Sequence, residues 1–212
     1  MPSPAEPRFR RRKADRPAEI VAAALAVFAE KGFAAARLEE IARRAGVSKG
    51  ALYLYFATKE ELFRAVVEQA IAPNLAELRE MLAHHPGPFR ELLTTAAGRL
   101  AAVAGAPALG GVAKMVIGEA RNFPQLARVW HDELVSQALG ALTEAVAAAQ
   151  ARGEARPGDP RVYALQIVAP LVMGVIWRET FAPVGAQPFD LAAIARQHVE
   201  TLAAGFLLEA AR

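Results

Sequence analysis

Apolar residues recur along this chain mainly at helical spacing, three or four positions apart. A clear stripe runs from Ile20 to Phe28 and stops at Gly32, while the strict alternation typical of strands is scarce. Alanine, leucine and valine dominate the composition. The pattern therefore predicts an all-α protein of about nine helices.

Two short helices joined by a tight turn are predicted between Leu38 and Phe56. Gly46 can adopt the left-handed conformation that ends a helix, and Ser48 can cap the helix that follows. Helices joined so closely must cross steeply, which is the geometry of a helix-turn-helix. One small core can be shared by the apolar residues of this hairpin, namely Ile41, Ala42, Ala45, Val47, Leu52 and Phe56.

The second helix of the hairpin is expected to present two ridges to solvent, Lys49 with Tyr53 and Ala51 with Tyr55. One cation, two phenols and the small residues Gly50 and Ala51 suit a helix that lies close to a DNA backbone. The alternative is an ordinary helical hairpin with a basic residue on its solvent-exposed face.

Positive charge is concentrated around the hairpin. Residues 1–64 carry 13 Lys and Arg against 8 Asp and Glu, or +5, and residues 65–212 carry 12 against 14, or −2, which sum to the +3 of the whole chain. This distribution is typical of a module that binds a polyanion. The chain has no cysteine, which excludes disulfides and cysteine-based metal or redox chemistry.

The hairpin resembles the DNA-binding domain of the TetR family of bacterial repressors. About a dozen positions agree in register, and Gly32-Phe33 matches the end of that family's first helix. A second, shorter segment, Glu119-Ala-Arg-Asn-Phe-Pro, is similar to the corresponding turn in drug-efflux-type members. The main resemblance is carried by Ile41-Ala42-x-x-Ala45-Gly46-Val47-Ser48-x-Gly50-x-Leu52-Tyr53-x-Tyr55-Phe56-x-x-Lys59-Glu60-x-Leu62.

The resemblance implies an all-helical homodimer that binds a double-stranded DNA operator through its N-terminal domains and a small-molecule effector through its C-terminal domain. Two positions depart from the family pattern: Ala36 replaces a capping Thr, and Tyr55 replaces a common His. The residues predicted to contact DNA are Arg37, Ser48, Lys49, Gly50, Ala51, Tyr53, Tyr55 and Lys59.

Three segments are predicted along the chain. Residues 1–13 form a disordered basic arm, residues 14–60 the helix-turn-helix domain, and residues 61–212 the ligand-binding and dimerisation domain. Pro17 suits the first position of the opening helix. Pro73 is expected to kink the helix that links the two domains.

The last two helices are predicted to form the dimer interface, as a four-helix bundle across a two-fold axis. The helix that begins at Asp159-Pro160 is apolar nearly all round, so it must be covered on several sides. The TetR resemblance places the interface in the same two helices. The alternative is a monomer with a large core.

An effector pocket is predicted in the C-terminal domain. Pro170 lies inside a helix and should leave the carbonyl of Gln166 without its partner, and a kink there can open a cavity. The alternative is that the aromatic and methionine candidates are ordinary core residues. The predicted lining consists of Phe89, Met115, Glu119, Trp130, Gln137, Gln166, Met173 and Trp177.

Catalysis is not predicted, because the chain has only three serines, no cysteine and no Gly-x-Ser-x-Gly elbow. We predict no cofactor and no metal. A soluble, cytoplasmic protein is expected, since no signal peptide is visible and the run from Ile167 to Trp177 is shorter than the ~20 residues of a membrane span.

These patterns and the resemblance together predict a ligand-responsive DNA-binding transcriptional regulator. The resemblance implies that it is a repressor, which leaves a palindromic operator when a small, largely apolar effector binds. The alternative is a helical scaffold without specific DNA binding.

Overall fold

The computed structural model describes residues 8–208, with side chains described from residue 16 onward except that of Pro107. Within this range the chain forms helices and no β-strand, which confirms the predicted all-α class. Two of the helices contain a π-helical turn, and counting each of these as one helix gives nine helices in the described chain.

Seven helices contain no π turn: α1 Arg8–Ala35, α2 Leu38–Arg44, α3 Lys49–Tyr53, α5 Phe89–Gly105, α6 Pro107–Glu119, α8 Pro160–Thr180 and α9 Leu191–Phe206. The other two are each interrupted by a π turn. Helix α4 consists of Lys59–Val66, the π turn Val67–Ile71 and Ala72–His84, and α7 consists of Pro124–Trp130, the π turn His131–Val135 and Ser136–Ala151.

Helix α1 begins earlier than the sequence predicted. Residues 1–7 of the predicted arm lie outside the described residues, but Arg8 already belongs to the helix, and Pro17 lies inside it instead of starting it. Arginine, lysine and alanine are strong helix formers, so residues 8–16 extend the helix toward the N-terminus. The predicted interruption at Gly32 is present, because Gly32 has a φ of 78°.

The turn between α2 and α3 has the predicted chemistry. Gly46 has a φ of 67°, the left-handed conformation that favours glycine. The N–H of Val47 donates to the carbonyl of Ala42 at 3.0 Å, and that of Gly46 donates to the carbonyl of Arg43 at 3.2 Å. This pair of bonds is a Schellman motif. Ser48 Oγ then accepts the Ala51 N–H at 3.1 Å and caps α3.

Two hydrophobic cores are formed within the described chain. The first core consists of Ile20, Val21, Ala24, Val27, Phe28, Phe33, Ala36, Ile41, Ala42, Leu52, Phe56, Leu62, Phe63, Ala65, Val66, Val67, Ile71, Val112, Met115, Val116, Leu126 and Val129. The second core consists of Leu75, Leu78, Leu82, Phe89, Leu92, Leu93, Ala96, Ala97, Ala101, Leu142, Ala145, Val146, Ala149, Ala155, Ala164, Ile167, Leu171, Val175, Leu191, Ala195, Val199 and Phe206.

The first core joins the helix-turn-helix to parts of the C-terminal region. It continues along α4 past the predicted domain boundary to Ile71, and it includes residues of α6 and α7. The π turns Val67–Ile71 and His131–Val135 lie where α4 and α7 pass from the first core to the second. We call the first core with its helices the head, and the second core with its helices the body.

Helix α6 packs closely against α1. A Cβ added to Gly111 would lie 2.8 Å from the Cβ of Ala29 and 2.9 Å from its carbonyl oxygen, so the two helices pack backbone against backbone there. At the end of α6, Glu119 accepts the N–H of Phe33 and the N–H of Ala34, each at 2.8 Å. These contacts bind the last turn of α1 to α6.

The two internal prolines of the C-terminal helices are accommodated differently. Pro73 follows the π turn of α4, in which the N–H of Ala72 donates to the carbonyl of Val67. In α8, Pro170 has no N–H to donate to the carbonyl of Gln166. That carbonyl lies 2.8 Å from His198 Nε2 of α9 instead. The imidazole therefore replaces the missing backbone donor.

Among the described residues, α8 with the 3-10 turn that follows it is the one helix long and apolar enough to cross a membrane. Helices α5 and α6 reach that length only as a pair bent by 80°. Only 28% of the most apolar window of α8 is buried in the single chain. One face of α8 packs into the second core, and the rest of the helix accounts for a large exposed apolar surface.

Candidate functional site

The exposed end of the helix-turn-helix is formed by α3 and the residue after it. Lys49 and Gly50 are exposed in the first turn, Tyr53 is 43% exposed, and Leu54 is 84% exposed. Leu52 is fully buried and fixes the rotation of α3. The hydroxyl of Ser48 is exposed as well, although its oxygen already caps the helix.

The predicted ridge of Ala51 with Tyr55 is wrong in part. Helix α3 has only five residues and ends at Tyr53, and the N–H of Tyr55 bonds to the carbonyl of Leu52 in a tighter turn. Tyr55 therefore leaves the helical register and packs against the first core, while Leu54 takes the outward place. Ala51 is half-buried.

Lys49 is held by an acidic neighbour in this structure. Its ammonium forms an ion pair with Glu39 at the start of α2 and lies 5.8 Å from the centre of the Tyr53 ring. The hydrogen bond from Lys49 lowers the pKa of Glu39, and the same bond raises the pKa of Lys49. Both side chains are more than half exposed, so water and salt screen the pair and a phosphate can compete for the lysine.

Lys59 has a structural role that the sequence did not predict. Its ammonium donates to the carbonyls of Phe33 at 2.6 Å, Ala36 at 3.1 Å and Ala34 at 3.3 Å, and it lies 4.5 Å from the centre of the Phe33 ring. An ammonium has three N–H donors, so this arrangement uses its whole capacity. The geometry favours closure of the α1–α2 turn over the predicted phosphate contact.

Several charges of α2 are paired with α1. Arg44 bonds to both carboxylate oxygens of Glu30, at 2.8 and 2.6 Å, and lies 3.3 Å from Glu40, which also accepts from Lys31 at 2.7 Å. The hydrogen bond from Arg44 lowers the pKa of Glu30, and that from Lys31 lowers the pKa of Glu40. This network fixes α2 against α1, while Arg37 precedes α2 with its side chain exposed.

The predicted effector residues do not converge on one site. Met115 is buried in the first core and Phe89 in the second, and Trp130 packs against the first. Met173 is 59% exposed on α8, and Gln166 is exposed as well. Helical spacing identifies a buried face but cannot say which of two cores covers it. In this structure Met115 and Phe89 are core residues, each in a different core.

The remaining three candidates have other partners. The carboxylate of Glu119 accepts hydrogen bonds from two backbone N–H groups of α1, as described above. Gln137 accepts from Arg79 at 3.0 Å, across α4 and α7. Trp177 donates from Nε1 to the carbonyl of Gln187 at 3.0 Å and packs against Phe181 and Phe189.

Grooves on the described surface are lined by other residues. One of about 530 Å³ lies between α4 and α7 and includes Arg79 and Glu144. Another, of about 580 Å³, lies at the end of α4 beside His84 and His85. A third, of about 400 Å³, lies between α1, α4, α5 and the start of α6, and includes Leu25 and Arg99.

Two family models match this chain over most of its length. The model for bacterial regulatory proteins of the tetR family matches residues 20–66, which contain the helix-turn-helix described above. The model for the tetracyclin repressor-like C-terminal domain matches residues 83–192, more than half of the chain. The chain belongs to the TetR family. The family membership that the sequence resemblance predicted is therefore confirmed.

The relatives that match this TetR-family protein are named as transcriptional regulators. The HTH-type transcriptional regulator RutR of Escherichia coli K12 is 34% identical over 119 residues, which cover 56% of this chain and 48% of RutR. The uncharacterized HTH-type transcriptional regulator YfiR of Bacillus subtilis is 38% identical over 72 residues, which cover 34% of this chain and 35% of YfiR. The matches thus span a third to a half of these relatives.

Solved structures of the family match nearly the whole chain. A TetR-family regulator from Mesorhizobium loti superposes with a TM-score of 0.77 at 26% identity, covering 93% of this chain and 99% of that one. SmeT, the repressor of the Stenotrophomonas maltophilia multidrug efflux pump SmeDEF, superposes in its triclosan complex with a TM-score of 0.72 at 22% identity, covering 92% and 93%. The likeness to SmeT shows the fold alone.

Proposed function

We propose that this TetR-family protein is a ligand-responsive DNA-binding transcriptional regulator of the cytoplasm, acting as a repressor that leaves its operator when a small, largely apolar effector binds. The observation that carries the proposal is the exposed surface of α3, with Lys49, Gly50 and Tyr53 on a helix whose start is capped and whose rotation is fixed by Leu52. A helix presented in this way can enter a major groove.

The contacts to DNA are divided by chemistry. Lys49, Tyr53 and the exposed Arg37 contact phosphates, which fix the position of the protein on the duplex. Gly50 and Ala51 lack bulk, so the start of α3 approaches base edges closely. Ser48 contributes mainly by capping α3, and Lys59 by closing the α1–α2 turn, because both are engaged in those roles already.

A homodimer supplies the two-fold symmetry of a palindromic operator. Four apolar residues of α8 are 49–59% exposed in the single chain, and a second copy of α8 and α9 would cover them as a four-helix bundle. These residues are Val162, Leu165, Val172 and Met173. The two copies of α3 then lie about 34–36 Å apart, one helical turn of DNA.

Release from the operator follows from movement of the head on the body. The first core holds α1, α2 and α3 together with α6. We expect this unit to move as one, and the contact of Lys114 in α6 with the carbonyl of Glu179 in α8 to change as it moves. The π turns in α4 and α7 lie at the boundary between the cores, and π turns are common at functional sites. An effector that binds more tightly to one arrangement shifts the population toward it and changes the separation of the two α3 helices.

The experiment is fluorescence anisotropy of the purified protein titrated onto DNA that flanks its own gene, beside a scrambled duplex, at several salt concentrations. We expect tighter binding to the native duplex, falling steeply as salt rises because phosphate contacts release counterions. Equal, weak binding to both duplexes would contradict the proposal and favour a helical scaffold.

A further inference from the structure

The groove of about 400 Å³, which we call the junction groove, lies at the boundary between head and body. Leu25 of α1, Ile71 of the π turn in α4, and Leu109 of α6 form apolar parts of its wall, and Val103 of α5 adds another. Small-molecule sites in proteins are typically apolar clefts of ~300–1,000 Å³ with a few placed polar groups. The junction groove has that size and that character.

Two polar side chains line the junction groove, Asn74 and Arg99, and only Arg99 is charged. One terminal nitrogen of its guanidinium, Nη2, forms an ion pair with Glu77, whose side chain is 65% exposed. Arg99 Nε is buried, and it has no hydrogen-bond partner among the described residues. The N–H groups along one edge of a guanidinium match the two oxygens of a carboxylate. This unused donor is enclosed beside the groove, and turning the Arg99 side chain away from Glu77 would bring it to an acceptor on a ligand.

We propose that the junction groove binds a small apolar monocarboxylate, whose carboxylate pairs with Arg99 and whose tail lies against Leu25, Ile71 and Leu109. This inference rests on the proposed function, because it names the chemical class of the effector. On binding, the ligand carboxylate takes the place of Glu77, which turns outward into water. The exchange engages Nε together with Nη2.

Such a ligand touches both moving parts of the molecule. Leu25 belongs to the head, while Val103 and Arg99 belong to α5, which packs into the second core. A tail seated between them binds one arrangement of head and body better than the other. That difference in affinity is what an effector needs in order to change the affinity for DNA.

The test is calorimetric titration of the full chain, in the absence of DNA, with three ligands of equal tail length: sodium octanoate, 1-octanol and octylamine. We expect saturable binding of octanoate, at least ~10-fold tighter than that of the alcohol or the amine, because only the carboxylate accepts two bonds from a guanidinium. Equal affinity for the three ligands, or preference for the amine, would overturn the proposal.

Variants locate the binding site. Arg99→Leu should lower octanoate affinity to that of octanol, and Glu77→Gln should tighten octanoate binding because the competing carboxylate is gone. Arg90→Leu, an exposed arginine of the same helix, is the matched control and should leave binding unchanged. Ala102→Trp, at an exposed position that lines the groove, should remove octanoate binding by filling the cleft.

Thermal unfolding of each variant shows whether it is folded before it is titrated. Octanoate binding that survives both Arg99→Leu and Ala102→Trp would overturn the assignment of the site. Because these titrations contain no DNA, such a failure would leave specific operator binding, measured by anisotropy, as separate support for the proposed function.

Discussion

The head and the body of this protein are packed by different kinds of side chain. Four of the 22 described residues of the first core are phenylalanines, and the ring centroid of Phe33 lies 5.6 Å from that of Phe28 and 6.1 Å from that of Phe63. In the second core, eight of 22 described residues are alanines and two are phenylalanines. Interlocking rings fix the orientation of neighbouring helices, whereas small side chains leave smoother helix surfaces.

This difference in packing indicates which part of the molecule can move at the lowest cost in free energy. The head is stabilised by aromatic packing and by two sets of hydrogen bonds. Glu119 accepts from two backbone N–H groups of α1, and Lys59 donates to three backbone carbonyls. The helices that connect it to the body are interrupted by π turns at the boundary. We therefore expect the head to keep its internal structure while its angle to the body changes.

The largest effect is expected from the aromatic cluster of the head. Phe33→Ala removes a fully buried ring that contacts Phe28, Phe63 and Phe123, and it should lower the free energy of unfolding by about 3–5 kcal/mol. Chemical denaturation measures the loss. Leu54→Ala, at an exposed position of the same head, is the control and should change stability by less than about 0.5 kcal/mol. A similar loss in both variants would contradict the described packing of the head.

The next effect is expected at the carboxylate that binds α1 to α6. Glu119→Ala leaves the N–H groups of Phe33 and Ala34 without their acceptor and should cost about 1–3 kcal/mol of unfolding free energy. Glu19→Ala removes an exposed glutamate of α1 and serves as the control. If Glu119→Ala unfolds at the same denaturant concentration as the wild type, this carboxylate does not hold the head.

Two glycines of α6 give a test whose outcomes differ in sign. Gly111→Ala places a methyl group against the backbone of Ala29, and we expect a net destabilisation of about 1–3 kcal/mol as α1 is pushed away. Gly118→Ala, in the same helix with open space around it, should stabilise by about 0.5–1 kcal/mol because alanine is the better helix former. Thermal unfolding compares them, and equal shifts would show that α1 and α6 are not in close contact.

The smallest effects are expected at the ion pair between Lys49 and Glu39, which the proposed function places on the surface that binds DNA. Lys49→Ala should weaken DNA binding and reduce the salt slope by about 0.9, the value of one phosphate contact. Glu39→Gln should tighten binding roughly twofold to fivefold, the scale of an exposed charge pair, because Lys49 is released to the phosphates. Anisotropy titrations measure both. An unchanged affinity and salt slope in Lys49→Ala would mean that α3 does not face the DNA.

The effect of Glu39→Gln depends on pH with a definite sign. Lys49 lowers the pKa of Glu39, so the contribution of the pair to stability is present above the unfolded-state pKa and is lost as pH falls through the folded-state value. The tightening should therefore be complete near neutral pH. It should disappear in acid, where Glu39 of the wild type becomes protonated.

Much of the DNA-binding head could be predicted because its signals are local. Gly46 and Ser48 mark the turn by their own backbone and capping chemistry, and both act as predicted. Tyr55 was misplaced because its outward position assumed that α3 continues for another turn, whereas the helix ends at Tyr53. The end of a five-residue helix is set by the packing of Leu52 and Phe56, which is a tertiary effect.

The candidate effector residues were less predictable. Glu119 finds its partners 85 and 86 residues away in the chain, and no spacing rule reveals that pairing. The distribution of Phe89 and Met115 between two cores is likewise decided by how helices assemble. The carbonyl of Gln166 is an exception, since the position of Pro170 alone predicted that it needed another donor.

The measurement that tests the central claim most directly is a pair of spin-label distances. The chain contains no cysteine, so introduced cysteines are the only labelling sites. One variant carries Glu19→Cys with Ile117→Cys, both on exposed positions of the head, and the other carries Glu19→Cys with Thr94→Cys, from the head to α5 of the body. Labelled chains are diluted with a large excess of unlabelled protein, so that distances within one chain dominate.

Each variant is measured with and without saturating DNA that flanks the gene. The account predicts that the distance between positions 19 and 117 stays the same, whereas the distance between positions 19 and 94 shifts or narrows when DNA is bound. A change between positions 19 and 117 as large as that between 19 and 94 would contradict it, because the head would then not move as one unit.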